Sequence, residues 1–115
     1  MAESIGRSTT FVKGDEVEWE PADEGIDRKI LAYDAEIMMV LARFEAGAIG
    51  SVHSHPHRQV TYVESGRFEI TIEGDTQILN RGDSFRVPPN VDHGAKSLDA
   101  GILLDVFSPA RESFV

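Results

Sequence analysis

Hydrophobic and polar positions alternate along much of the chain, with a period of two that indicates β-strands. Phe68, Ile70 and Ile72 alternate with charged or hydroxyl-bearing side chains, the pattern of a strand with one buried face. Gly74-Asp75 then separates this strand from residues 76–79, which predicts a two-residue hairpin turn. Further short strands are predicted at residues 11–18, 29–33, 36–44, 51–55, 60–64, 84–87, 94–97 and 101–108.

This spacing of strands predicts an all-β domain. About ten strands with turns roughly every eight to twelve residues are typical of a sandwich or a barrel, and no segment has a sustained helical period. Asp34-Ala35 and Asp99-Ala100 are predicted to be tight connections, and the acidic residues 20–27, which include Pro and Gly, a loop. Residues 1–9 are expected to form a flexible N-terminal segment, and residues 10–115 a single domain.

Composition and charge narrow the possible partners. The chain has no cysteine, and its 20 acidic against 11 basic residues give a formal net charge of −9. This balance argues against nucleic acid or an anionic membrane as a partner, because both require a basic surface. Residues 1–9 are polar, unlike a signal peptide. A cytoplasmic location is therefore expected. Because the chain is acidic overall, binding an anionic small molecule would require a local cluster of arginine.

The four histidines lie in two short clusters. His53, His55 and His57 fall within five positions, and His93 lies in a Pro-rich turn. On a strand, His53 and His55 point to the same side about 7 Å apart, close enough to bind one ion through bonds of about 2.0–2.1 Å. Gln59 has the same parity. A site without thiolate suits zinc, nickel, manganese or iron, whereas the alternative is a surface cluster without function.

The spacing of these residues resembles the two motifs of the cupin family. Gly47, His53, His55, Gln59 and Gly66 match the first motif with every gap correct. In the second motif, Gly82, Pro88 and His93 match, whereas Asn90 stands for Gly and Ser97 for Asn. Asn tolerates left-handed backbone angles as glycine does. The resemblance implies a small double-stranded β-helix, or jelly-roll barrel, in which His53, His55, Gln59 and His93 hold one divalent metal ion.

Residues 29–33, 53–63 and 104–112 are also similar to the KdgF-type pectin-degradation cupins. That group acts on the 4,5-unsaturated uronate monomers released by pectate or alginate lyases, promoting ring opening and tautomerisation to the linear keto form. The resemblance implies a metal-dependent isomerase for a small anionic sugar. It also implies that Asp105, Phe107 and Arg111 are the active-site residues that do not bind metal.

The pattern of residues 101–108 supports a special role for Asp105. Leu103, Asp105 and Phe107 share one face of this strand, and the opposite face is apolar as well. A carboxylate on a buried face needs a partner or a raised pKa, and a raised pKa suits a general acid working near neutral pH. The alternative is a structural aspartate bonded to the backbone or to an arginine.

The remaining candidates each have a structural alternative. Arg111 follows Pro109 and could bind a substrate carboxylate, or pair with Glu112 on the surface. Phe107 is a core or cavity-wall aromatic on which a sugar ring could stack. His57 is interpreted as a neighbour of the metal site rather than a ligand. Tyr62 is expected to line the cavity.

Two other functions are compatible with the same sequence features. Many cupins with a His-rich site activate oxygen, so an iron-dependent dioxygenase is one alternative. The other is a binding module that holds metal and sugar without turnover. Because small cupins often pair, a homodimer is also expected, with residues 11–18 a candidate strand to cross to the partner.

Overall fold

A computed structural model describes residues 6–115, which form one antiparallel sheet of eight strands folded on itself. Two 3₁₀ turns are its only helical elements within these residues, and no helix there is long and apolar enough to cross a membrane. The prediction of an all-β barrel is confirmed. The strands are β1 (Glu20–Asp23), β2 (Ile26–Tyr33), β3 (Met38–Phe44), β4 (Ile49–His53), β5 (Arg58–Ile72), β6 (Asp75–Asn80), β7 (Ser84–Val87) and β8 (His93–Ser108), and the turns are Gly14–Glu16 and Glu112–Phe114.

The long strands β5 and β8 pair with each other along nearly their whole length and hold the barrel together. The sheet runs β1-β2-β3-β8-β5-β6, while β4 pairs with β8 and β7 with β5. The β5–β8 pairing shifts register between Val63 and Phe68, where the strands bend. At that bend a Cβ on Gly66 would lie 2.7 Å from the Ala100 carbonyl oxygen, so only glycine allows this approach.

This bend corrects part of the strand prediction. Residues 60–64 and 67–73 were expected to be separate strands, but they belong to one continuous strand, β5. Residues 94–97 and 101–108 likewise form one strand, β8, and the predicted tight connection at Asp99-Ala100 is wrong. A bulge interrupts the alternation of apolar side chains as a turn does, because the extra residue reverses which side faces the core.

The N-terminal part of the chain corrects two further predictions. Residues 11–18 do not form a strand: Phe11 is 88% exposed and Gly14–Glu16 is a 3₁₀ turn. Residues 20–27 are not a loop, since β1 pairs with β2 as a hairpin at the edge of the sheet. All four β1 side chains are exposed, so burial imposes no alternation. Residues 1–5 of the expected flexible segment lie outside the described residues, while the Ser8 amide donates to the Tyr33 carbonyl.

The core consists of two clusters of buried side chains. In the first, the Phe44 and Phe68 rings meet edge to face with their centroids 5.2 Å apart, and Leu103 packs with them. In the second, Met38 and Val40 of β3 pack with Phe107, a residue of β8. Phe44, Leu103 and Phe107 also line one cavity, so both core clusters form its walls.

Candidate metal and substrate site

Three histidines converge at the end of β4 and the beginning of β8. His53 and His93 are directly opposite in the β4–β8 pairing, and His55 lies in the loop that follows. The His53 and His55 ring centroids lie 4.4 and 4.8 Å from that of His93, respectively. One ligand nitrogen from each ring lies within 4.8 Å of the others. The three-His group is therefore positioned to bind one metal ion.

Each of the three rings is oriented by the backbone. Nδ1 of His53 lies 2.9 Å from the Ser51 carbonyl, and Nδ1 of His93 lies 2.9 Å from the Val91 carbonyl. Nδ1 of His55 lies 3.0 Å from the carbonyl of His57. A carbonyl can only accept, so each Nδ1 carries the proton and each Nε2 presents a lone pair. This is the arrangement of metal-binding histidines whose other nitrogen is fixed by a hydrogen bond.

Burial keeps two of the rings neutral. His55 and His93 are 6% and 5% exposed. Burial, followed by the positive charges of Arg111 and His93, lowers the pKa of His55 to about 4. Burial also lowers the pKa of His93. Neutral imidazole is the form that binds metal, so protons compete weakly at these rings near neutral pH.

Two contacts test whether these residues suit a cation. The His93 Nε2 atom is buried and has no hydrogen-bond partner, an arrangement that needs an explanation in a folded protein. The Gln59 Oε1 atom lies 3.1 Å from the His55 Nε2 atom. Because His55 carries its proton on Nδ1, the His55 Nε2 and Gln59 Oε1 atoms are both acceptors and repel each other. A cation bound between them would make this contact favourable. The group fits a divalent metal ion.

Gln59 also connects this group to Asp105. Its side-chain amide donates to the Thr61 hydroxyl at 2.9 Å and, more weakly, to an Asp105 oxygen at 3.4 Å. These donations point Oε1 toward the histidines. Thr61 in turn donates to the same Asp105 oxygen at 2.6 Å.

The Asp105 carboxyl is the one acidic group of the cavity wall in the described chain. Burial raises its pKa from 3.8 to about 6, although the hydrogen bonds from Thr61 and Gln59 and the charge of Arg111 oppose this shift. A carboxylate on a buried strand face needs a partner or a raised pKa, and Asp105 has both. The carboxyl can therefore exchange a proton near neutral pH.

Arg111 lies beside aromatic rings and without an acidic partner. Its guanidinium carbon is 5.2 Å from the Phe107 ring centroid and 4.5 Å from that of Phe114. Its Nε atom is buried without a hydrogen-bond partner. Of the ion pairs among residues 6–115, none includes Arg111, so the predicted alternative of a pair with Glu112 is wrong. Such a half-buried guanidinium, with its Nε donor unsatisfied, can bind an anion.

Most of these groups, though not His55 or Thr61, line one cavity of about 150 Å³. A cavity of about that size holds a single six-membered ring. Its lining residues are Phe44, Gly50, His53, Gln59, Phe85, His93, Gly94, Ala95, Leu103, Asp105, Phe107, Arg111 and Phe114.

The comparisons with known proteins agree with this geometry. The family model described as "Cupin domain" matches residues 40–107, more than half of the chain. The chain belongs to the cupin family. The cupin is 45% identical over 103 residues to the pectin degradation protein KdgF of Dickeya dadantii, covering 88% of this chain and 94% of that protein.

Two solved structures are similar over nearly the whole cupin. One is an RmlC-like cupin from Shewanella frigidimarina, with a TM-score of 0.93 and 47% identity, covering 95% of this chain and 98% of that one. The other is KdgF from a Halomonas species, with a TM-score of 0.89 and 36% identity over 94% of this chain and all of that one. The similarity to the KdgF group is confirmed.

Most predicted site residues of this cupin meet in one place. The three histidines, Gln59, Asp105, Phe107 and Arg111 are brought together, while His57 lies outside the three-His group. The prediction for Tyr62 is wrong: its side chain is 46% exposed on the outer face, because it lies an odd number of residues from Gln59. Sequence reasoning missed Thr61, although its parity with Gln59 was a usable signal, and it missed Phe114, for which the sequence gives no signal.

Proposed function

We propose that this cupin is a metal-dependent isomerase that promotes ring opening and ketonisation of 4,5-unsaturated uronate monosaccharides from pectin or alginate breakdown. The KdgF protein of Dickeya dadantii is named for pectin degradation. The observation that carries the proposal is that the Asp105 carboxyl, the Arg111 guanidinium and two histidines of the three-His group, His53 and His93, line one cavity large enough for a six-membered ring. Each group has a distinct task in this reaction.

Arg111 binds the substrate carboxylate in this proposal. Its guanidinium is the one cationic side chain lining the cavity in the described chain, apart from the histidines. Its buried Nε donor has no protein partner, so a planar carboxylate supplies what is missing. Phe107 forms the adjacent wall and offers its ring to the sugar.

Asp105 moves the proton in this proposal. Ring opening leaves an enol, with a hydroxyl on C5 and a double bond between C4 and C5. Ketonisation breaks that O–H bond, forms a C–H bond at C4 and converts the double bond into a C5 carbonyl. No atom is gained or lost, and no oxidant is needed. A carboxyl with a pKa of about 6 can both accept and return the proton.

His53, His55, Gln59 and His93 hold the divalent ion. These four ligands are neutral, so a divalent ion retains its charge at the site, which favours an anionic substrate. When bound, the ion supplies Lewis-acid stabilisation of the negative charge that develops on substrate oxygen. Zinc, nickel, manganese and iron all suit these ligands.

The decay of the conjugated alkene, followed by ultraviolet absorbance after a lyase has produced the monomer, tests the proposal. Metal-loaded protein is expected to accelerate the decay above the spontaneous rate without consuming oxygen. Oxygen uptake that requires iron would instead support a dioxygenase, and saturable sugar binding without turnover would support a binding module.

We also propose a homodimer that forms through the outer face of the sheet. Residues 11–18 cannot supply a crossing strand, since they form none. Met39, Val60 and Tyr62 are 37%, 52% and 46% exposed, and Val106 lies in register between Met39 and Val60. Such a contiguous apolar face marks an interaction surface, and a two-fold dimer buries the same patch of both subunits. Sedimentation of Val60→Glu is expected to show monomer, whereas a monomeric wild type would contradict this arrangement.

A further inference from the structure

His57 is the one histidine that the proposed reaction leaves without a task. It is 5% exposed, as buried as His55 and His93 of the three-His group. Its Nε2 atom donates to the Glu112 Oε2 atom at 2.9 Å, while Nδ1 has no partner. A buried imidazole whose one hydrogen bond reaches a residue 55 positions away connects two distant segments of the chain.

The contact with His57 ties the C-terminal segment, residues 109–115, to the barrel. Among the described residues, it is the one side-chain hydrogen bond between this segment and the rest of the chain. One backbone bond, from the Ala110 amide to the Ala35 carbonyl, anchors the segment on its other side. The Glu112 side chain is 60% exposed, whereas His57 is buried. His57 is thus the fixed partner, and Glu112 the one that needs to be held.

Arg111, the neighbour of Glu112, depends on this anchor. Its guanidinium contacts the Phe107 and Phe114 rings, but its buried Nε donates no hydrogen bond that would fix its direction. Ring contacts restrain a guanidinium only weakly compared with a bidentate ion pair. The position of Arg111 is therefore set by how residues 109–115 are anchored: Ala110 is buried in the second core cluster, Phe114 packs against that cluster, and the His57–Glu112 bond holds the segment between them.

The backbone of His57 connects the same residue to the three-His group. Its carbonyl accepts the hydrogen bond from Nδ1 of His55. The backbone of His57 thus orients a histidine of the metal site, while its side chain holds the residue next to Arg111.

We propose that His57 and Glu112 are a positioning pair that sets the location of Arg111 relative to the three-His group, and so determines the affinity for the substrate carboxylate. This inference rests on the proposed function for its kinetic consequence. The pair touches no substrate. Its removal acts on the binding of the carboxylate rather than on the proton transfer at Asp105.

Kinetics of Glu112→Ala and Glu112→Gln test the pair. Glu112→Ala is expected to raise KM about five- to tenfold, the value of one lost hydrogen bond, with kcat within about twofold and metal content unchanged. Glu112→Gln keeps an acceptor for His57 and is expected to stay within about twofold of wild type. Glu18→Ala removes an exposed glutamate outside every strand and serves as the matched control.

The double variant His57→Ala/Glu112→Ala separates a pair from two independent effects. Its KM is expected to match that of Glu112→Ala, because the second change removes a partner already lost. Additive effects would overturn the proposal. A wild-type KM in Glu112→Ala would also overturn it, as would a Glu112→Gln variant as weak as Glu112→Ala, since the charge rather than the bond would then matter.

Two readouts that need no turnover keep this test independent of the proposed reaction. Galacturonate binding, measured by calorimetry on metal-loaded protein, is expected to weaken in Glu112→Ala and not in Glu112→Gln. In Glu112→Ala, hydrogen exchange is expected to accelerate at the amides of residues 114 and 115, which donate to the carbonyls of Arg111 and Glu112. If wild type shows no turnover but both readouts change, the reaction is wrong and the pair stands. If neither readout changes, the pair is wrong.

Discussion

The Thr61 hydroxyl donates a 2.6 Å hydrogen bond to the Asp105 carboxylate, and the two residues are directly opposite in the β5–β8 pairing. Thr61 is 1% exposed and also accepts from the Gln59 amide at 2.9 Å. One hydroxyl thus links a proposed metal ligand to the proposed proton-transfer group. The central, doubly paired strands of the barrel provide this precision, because their register fixes which side chains meet.

Replacing Thr61 with valine keeps the shape of the side chain and removes the hydroxyl. The Asp105 carboxylate then loses its shortest hydrogen bond, and Gln59 loses an acceptor. We expect Thr61→Val to lower kcat about tenfold, as measured by alkene decay at saturating substrate. Thr61→Ser retains the hydroxyl and is the control. Equal rates in wild type and Thr61→Val would contradict the role of the hydrogen bond.

The raised pKa of Asp105 implies a cost to stability in the metal-free protein. A carboxyl with a pKa of 3.8 when unfolded and about 6 when folded destabilises the fold at pH 7, where both states are ionised. We expect Asp105→Asn to raise the free energy of unfolding by about 1–3 kcal/mol at pH 7. This gain in the free energy of unfolding should shrink as the pH falls from about 6 to about 4, because Asp105 of the folded wild type then becomes protonated and its burial no longer costs a charge. Urea unfolding of wild type and Asp105→Asn, both in the presence of a metal chelator, measures this gain. A gain that does not depend on pH would contradict the raised pKa of Asp105.

Much of this site could be predicted because its signals are local. The spacing of His53, His55 and Gln59 places three proposed ligands within seven residues, and a carboxylate on an apolar strand face identified Asp105. The left-handed backbone expected at Asn90 is present, with φ of 62°. Metal binding, a buried carboxylate and a left-handed backbone each restrict which residue types can stand at a position, so these features can be recognised in the sequence.

The rest depends on contacts that no local pattern encodes. The bond between Thr61 and Asp105 follows from the register of β5 against β8, and that between His57 and Glu112 from the return of the chain across the barrel. The hairpin containing β1 was missed because an exposed edge strand has no buried face to impose alternation. Long-range pairing decides the first two contacts, and the absence of a buried face conceals the third element.

Removing a histidine of the three-His group should weaken metal binding strongly. His93 has a buried, unpartnered Nε2 atom directed at the site. We expect His93→Ala to weaken metal affinity by more than about 100-fold, measured as metal content after dialysis. Wild type should also gain thermal stability when zinc, nickel or manganese is added, by about 2.7 kcal/mol at 100 times Kd, and His93→Ala should not.

His57→Ala is the control for that measurement, because it removes a histidine outside the three-His group and leaves the backbone carbonyl that orients His55. It is expected to keep the metal. Loss of metal in His57→Ala, or full metal content in His93→Ala, would contradict the assignment of the ligands.

Arg111 should not tolerate replacement by lysine. A guanidinium binds a carboxylate through two parallel N–H···O hydrogen bonds, whereas the ammonium of lysine does not reproduce this pair. The planar stacking on Phe107 and Phe114 is lost as well. We expect Arg111→Lys to raise KM about tenfold and Arg111→Ala to raise it further. The measurement is the substrate dependence of alkene decay. A wild-type KM in Arg111→Ala would exclude Arg111 as the carboxylate-binding residue.

The most direct test of the proposed function is proton NMR of unsaturated galacturonate monomer, generated in place by a pectate lyase. Metal-loaded wild type is compared with Asp105→Asn and with a reaction lacking this protein. We predict that wild type accelerates the loss of the alkene signal and the appearance of the linear keto form, while Asp105→Asn remains near the spontaneous rate. Loss of the alkene signal at the spontaneous rate in all three reactions would contradict the isomerase, and equal acceleration by wild type and Asp105→Asn would contradict the role of Asp105.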